Sequence, residues 1–309
     1  MSKKNRKNAQ NDNVPAGMSR RQAKLAARAA ERAAATGVAR PFADLPMEAD
    51  LVAFREFVPN GTMKVQVAGA DRNVTIVTLL PGAAAALTRD ADHGGEAFVA
   101  MQTRDRSPNP QQDLAKALAW AASAPAGSVL ESTVSGEGAD LAAPALSELL
   151  TGAEKAQSEK SFEWWLPGGL AANPQAEANI RQADETIMES HRVDADLPGA
   201  IWWIDTTTRA HFRWIRTEAE SKLFDGLARV HAADGLTLGE GTKFAGVFRT
   251  QGVLVPVWDL DRTRGFDTYG EELADLDKRL AAALNATEPL TAEERKSRDT
   301  IRSRQVTIN

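Results

Sequence analysis

Residues 18–35, MSRRQAKLAARAAERAAA, set the first constraint on how this chain can fold. They form a segment of high helical propensity in which Leu25 is the only large aliphatic side chain after Met18. A helix without an apolar face has nothing to bury, so this segment contributes no core and the body must be built from the residues beyond it. Ser19 is placed to cap the helix and Gly37 to end it, which predicts a basic helix over 18–36. Residues 1–17 are polar, Asn-rich and without periodicity, and read as a disordered basic tail. The proline-punctuated stretch 37–47 reads as a linker.

Charge is segregated along the same boundary. Residues 1–40 hold ten Lys or Arg against Asp12 and Glu31, a balance of +8, so the other residues carry −13 of the total of −5. A basic arm on an acidic body points to polyanions as the natural partners of the arm.

From residue 48 the pattern alternates short apolar runs with amphipathic stretches, the mark of an α+β body. Residues 48–150 form one expected lobe. There ADLVAFREFV reads as a helix, KVQVAG, NVTIVTLLP, EAFVAMQT and SVLESTV as strands, and NPQQDLAKALAWAAS and ADLAAPALSELL as helices. Residues 151–290 form a second, in which five of the seven tryptophans fall between 164 and 214. FEWWLPG reads as a strand, and GAIWWID and AHFRWIR as a hairpin joined by TTTR. Two helices are expected behind capping boxes at Thr217/Glu220 and Thr268/Glu271. KFAGVFRTQGVLVPVWDLD reads as two strands around TQG, and residues 291–309 as a charged mobile tail. A faint echo between FVAMQTRDRS…QDLAKALAWAA and LVPVWDLDRT…ELADLDKRLAAAL favours two similar mixed sheet-plus-helix lobes, with too few identities to establish a weak internal duplication.

The absence of cysteine excludes disulfides, thiolate metal sites and a cysteine nucleophile. The four histidines, at 93, 191, 211 and 231, have no short-spaced pair of the kind that grips zinc, and no cofactor, catalytic or metal motif stands out. No apolar run approaches the length of a membrane span, and no apolar segment succeeds the basic N-terminus as in a secretory signal. A cytoplasmic protein is therefore expected.

The stretches MSRRQAKLAARAAERAA, RPFADLPMEADLVAFREFVPNGT and LGEGTKFAGVFRTQGVLVPVWDLD together resemble a family of uncharacterised actinobacterial cytosolic proteins. Some members carry a cysteine-rich SEC-C type zinc motif and are labelled for it as relatives of the preprotein translocase ATPase. The resemblance implies a cytoplasmic chain that forms one unit, with no catalytic residues to carry over. The zinc motif is missing from this cysteine-free sequence, so zinc and a translocase-linked role are not implied for it.

The residues support two functional readings. In the first, Arg20, Lys24, Arg28 and Arg32 lie four apart on one helical ridge with Arg21 beside it. Their mutual repulsion is relieved by phosphates, and counterion release drives the contact, which favours RNA or the ribosome with a protein partner for the body. The same arm can instead be a solvated tail, dock on its own acidic body, or touch lipid or protein. In the second reading, Asp259 and Asp261 after one strand and Asp205 after another hold magnesium for phosphoryl chemistry, against the common use of strand-end Asp as a turn-former. The glycines of LGEGTKFAG read as a hairpin approach before an anion cradle, and His231 as a satisfied histidine before a base. His211 is expected to open its strand facing water. Each adjacent pair, Trp164/Trp165 and Trp202/Trp203, is expected to point to opposite faces of a strand, so that either both sheet faces are covered or one ring of each pair is exposed.

Overall fold

The computed structural model describes residues 38–167 and 174–307, and within them the body is α+β. Its centre is helix α1 (Glu48–Glu56). Seven consecutive residues, Glu48 to Phe54, are buried, which is possible for a helix only when it is packed on all sides. One side meets a mixed sheet of seven strands and the other a sheet of six. The Phe54 ring spans the two: it packs edge-on to Trp202 at 6.0 Å in the second sheet, and it lies so close to Gly61 in the first that a Cβ there would come within 2.6 Å of it.

The first sheet contains β1 (Gly61–Val67), β2 (Val74–Leu79), β3 (Ala86–Thr88), β4 (Ala97–Gln102), β5 (Val129–Leu130) and β6 (Leu150–Ala153), in the order β5-β3-β4-β2-β1-β6, with β7 (Gln157–Ser158) also on β1. Only the β2/β4 pair is parallel. Met63, Ile76 and Val99 face α1 and α2 (Pro110–Ser123), whose Leu114, Leu118 and Ala121 form an apolar stripe. Val77, Phe98 and Ala100 line the opposite face beneath Trp164.

The second sheet runs β13-β11-β12-β10-β9-β8, from β8 (Ser190–Arg192), β9 (Ala200–Asp205), β10 (Ala210–Ile215), β11 (Lys243–Thr250) and β12 (Val253–Leu260) to β13 (Val306–Thr307). Neighbours are antiparallel except β11 and β13. Trp202 and Ile204 turn toward α1, whereas Trp203, Phe212, Trp214 and Trp258 face α5 (Glu220–Ala232), α6 (Gly270–Asn285) and α7 (Ala292–Ser303). Trp202 and Trp203 are both buried, so both faces are covered at that pair.

Several local expectations are corrected. FEWWLPG is a 3-10 turn (Phe162–Trp165), because Ser161 caps Glu163 and the carboxylate of Asp184, the last residue of α4 (Pro174–Asp184), accepts from the Phe162 amide at 2.8 Å. The two adjacent rings there are partly exposed, and each indole donates inward, Trp164 to Asn60 and Trp165 to the Leu79 carbonyl. ADLAAPALSELL yields only α3 (Leu146–Leu149), after Pro144. Neither Thr217 nor Thr268 caps its helix. Glu220 pairs with Arg249, and the Thr268 hydroxyl donates to the Gly265 carbonyl at 2.7 Å. The capping box is instead at Thr291/Glu294, opening α7 where a charged tail was expected. Ser297 and Ile301 are buried there, and β13 comes next on the sheet. In the two stretches of the internal echo, a strand precedes a helix on its own sheet, but β4 lies parallel to β2 whereas β12 is antiparallel to both neighbours.

Truncating the ring that joins the sheets tests this arrangement. Phe54→Ala is expected to cost about 3–5 kcal/mol in denaturant unfolding, with tryptophan fluorescence and far-UV circular dichroism shifting together. A shift in one probe alone would show that the sheets unfold separately.

Candidate functional site

The five cations of the basic ridge, Arg20, Arg21, Lys24, Arg28 and Arg32, lie outside the described residues. The root of that arm is within them. Arg40 grips Glu48 with two hydrogen bonds of 2.5 and 2.6 Å and donates to the Thr217 carbonyl at 2.8 Å. Arg192 of β8 holds Asp50 bidentately at 2.8 and 3.1 Å. Arg40 therefore belongs electrically to the body: nine cations against Asp12 and Glu31 leave +7 on residues 1–37. The buried carboxylates at the root, Glu48 and Asp50, are already answered by arginines.

The three carboxylates read as a magnesium set do not converge. Register settles this: Asp205 lies across from Ala210, which lies across from Leu260, whereas Asp259 lies across from His211. Asp205 and Asp259 therefore project from opposite faces of the sheet. Arg262 holds Asp205 at 2.6 Å and keeps its carboxyl below the usual range. Arg209 holds Asp259 at 2.5 Å. Asp261 lies past the end of β12 and serves as a turn-former, accepting from the Thr263 amide and hydroxyl, which hold its pKa down. Among the described residues no group of three or more metal-ligating side chains comes together.

LGEGTKFAG is a self-satisfied approach to β11. The Leu238 and Gly239 amides donate to the Thr242 and Thr237 hydroxyls, so they are not aimed at an outside anion. His231 contacts Ser297 Oγ through Nδ1 at 3.0 Å.

His211 does not face open water. Its side chain is largely covered, and Nδ1 lies 3.0 Å from Asp259 Oδ1 but out of line for a hydrogen bond. Burial pushes its pKa down, against the pull of Asp259 and with the help of Arg213 and Arg209. Two residues along the same strand and on the same face is Arg213. Its guanidinium is mostly buried, over the rings of Phe57 at 5.0 Å and Phe248 at 5.9 Å. Burial lowers its pKa, and no carboxylate opposes that. Arg216, a few residues on, is the contrast: fully buried, it is held by Glu218 and by Asp277, the latter at 3.0 Å. Arg213 and His211 open onto a cavity of about 300 Å³ over β10, β12 and β11, bounded also by Val257, Gly246, Phe248, Arg304 and Val306. No sequence motif marks this place. The visible signal was Arg213 and His211 alternating on a strand otherwise rich in aromatics.

A family model matches residues 41–309 of the chain. The chain belongs to that family, DUF5926, a family of unknown function. The DUF5926 match takes in the whole described body apart from residues 38–40, whereas the basic segment of residues 18–36 precedes it. No curated protein and no solved structure matches the chain.

His211 makes the body's stability pH-dependent. Its folded pKa is below the ordinary value of 6.5, so its share of stability is complete above about pH 6.5 and is lost as the pH falls toward the lower folded value. Asp259 and Lys243 across the sheet, and Arg209 and Arg213 nearby in sequence, are the charges around it. The urea midpoint is expected to fall between about pH 7 and about pH 5, and to fall less in His211→Gln. An equal fall in both proteins would remove the assignment.

Proposed function

We propose that this chain is a non-catalytic cytoplasmic protein that contacts RNA or a ribonucleoprotein through phosphates, using the basic helix of residues 18–36, while the body serves as a scaffold for a protein partner. The observation that carries this reading is the row Arg20, Lys24, Arg28 and Arg32 at four-residue spacing with Arg21 beside it, answered within the segment only by Glu31. Like charges at this spacing repel, and Arg20 and Arg21 also oppose the positive end of the helix dipole. Phosphates remove both penalties, and releasing their condensed counterions adds a driving force that a solvated tail lacks. RNA backbone is the better match, because no Asn or Gln pattern for reading base edges accompanies the arginines.

The geometry at the root supports the same reading over docking on the body. Glu48 and Asp50 are paired with Arg40 and Arg192, so cations arriving there find those carboxylates taken. The separation of Asp205 from Asp259 removes support from the magnesium-dependent alternative.

The test compares the full chain with a full-length variant carrying Arg20→Gln, Arg21→Gln, Lys24→Gln, Arg28→Gln and Arg32→Gln. Binding to a structured RNA should show a log–log salt slope of about −4 to −5 if about five phosphates are contacted, and the variant should lose both the slope and at least about tenfold in affinity. Equal affinity and slope in the two proteins would refute the reading.

A further inference from the structure

We propose that the cavity over β10, β12 and β11 binds a small organic anion: a carboxylate or phosphate head on Arg213, with an apolar body along Val257, Phe248 and Val306. Several other arginines of this protein are answered by an acid. Arg40, Arg192, Arg216, Arg249, Arg262 and Arg264 are each paired with a carboxylate, the most buried of them, Arg216, with two. Arg213 is mostly buried and is paired with none among the described residues; its guanidinium rests on two aromatic faces. Rings stabilise the flat sides of a guanidinium but leave its edge donors unanswered, and that edge is what takes a carboxylate or phosphate bidentately.

The space for the ligand comes from the sheet register. The cross-strand row through Arg213 runs Trp202, Arg213, Val257, Gly246, from an indole to bare backbone. Gly246 sits at a register shift in β11 with φ of 134°, a conformation that favours glycine, and the place of its missing side chain is bordered by Arg304, whose carbonyl oxygen and Cβ lie 3.6 and 3.7 Å from where a Cβ would stand, so Arg304 closes the row at that end. The resulting cavity has two cationic groups, Arg213 and, at the rim, Arg304, beside the His211 imidazole. No carboxylate lines it, because Asp259 is drawn to Arg209 and His211, and the remaining lining is aliphatic or aromatic. A cationic donor on one wall of an apolar cavity of about 300 Å³, with a second arginine at the rim, selects an anion with a hydrophobic body over a bare inorganic ion or a neutral molecule.

The experiment uses the full chain, with sodium benzoate and phenyl phosphate as probes and benzyl alcohol and inorganic phosphate as controls, read by thermal shift and calorimetry. Wild type should be stabilised saturably by at least one aromatic anion, by inorganic phosphate about tenfold less effectively, and not by benzyl alcohol. Arg213→Met keeps a stem between the rings and removes the unpaired charge. It should melt at or above the wild-type temperature without ligand and lose at least about tenfold in affinity. Val257→Asp puts a carboxylate directly across from Arg213, so it should fold and should lose the response by satisfying the guanidinium from within. The five-glutamine variant of the arm should keep the full response, which separates this site from the RNA reading. The proposal is overturned by a wild type that answers to neither aromatic anion, or by benzyl alcohol or inorganic phosphate acting as strongly as they do. It is equally overturned by a response that survives in Arg213→Met and Val257→Asp, or by an unliganded Arg213→Met that melts well below wild type, which would make Arg213 a structural stack.

Discussion

Helix α1 lies between two sheets, and its burial on every side is the constraint to which the rest of the body answers. A helix so placed cannot keep a polar face in water, yet its first turn carries Glu48 and Asp50, both buried. Their charge suits the positive end of the helix dipole, but desolvation makes an unpaired carboxylate there untenable. Arg40, arriving from the chain ahead of the helix, takes Glu48, and Arg192, from the edge strand of the second sheet, takes Asp50. These pairs also fix where the chain enters the body. Ala39 and Arg40 pass so close to the turn at Gly252 that a Cβ there would come within 2.2 Å of the Ala39 carbonyl oxygen. Residues 39 and 40 are thus held against the tip of the β11/β12 hairpin before the chain becomes helix.

The second sheet is used on both faces, in different ways. Against α5, α6 and α7 it presents a continuous aromatic and aliphatic surface, with Trp203, Phe212, Trp214 and Trp258 buried. Against α1 it is covered around Trp202 and Ile204, and the part beyond Phe57 opens instead into the cavity that holds Arg213 and His211. A nine-residue helix is about 14 Å long, too short to cover a six-stranded sheet about 24 Å across. The uncovered remainder is where a buried cation without a carboxylate is found.

Elements governed by local chemistry were legible in the sequence. The β9/β10 hairpin with its TTTR connection, α2 beginning at Pro110, and the β11/β12 pair around TQG come from periodicity and turn residues alone. Elements whose outcome depended on a distant partner were not. FEWWLPG has strand composition, but Asp184, more than twenty residues away, takes its amide and turns it. Thr217 and Thr268 have capping spacing, yet Glu220 is drawn to Arg249 and Thr268 to its own turn. The charged stretch after Leu290 has little apolar content, and it forms α7 because Ile301 and Ser297 find a place against the second core.

By itself the sequence determined the α+β class, the separation of a cationic segment from an acidic body, and the cysteine-free chemistry open to the chain, since composition and short-range periodicity suffice for each. Tertiary structure alone decided which charged groups are answered. The same strand-end aspartates that could meet around a metal are sent to opposite faces by the period-two alternation of the strands and by the register of β9, β10 and β12. That register also brings Arg213 opposite an aliphatic residue and in line with a glycine, with no acid beside it. Pairing across strands depends on contacts between residues tens of positions apart, and a linear pattern of residue types does not carry that information.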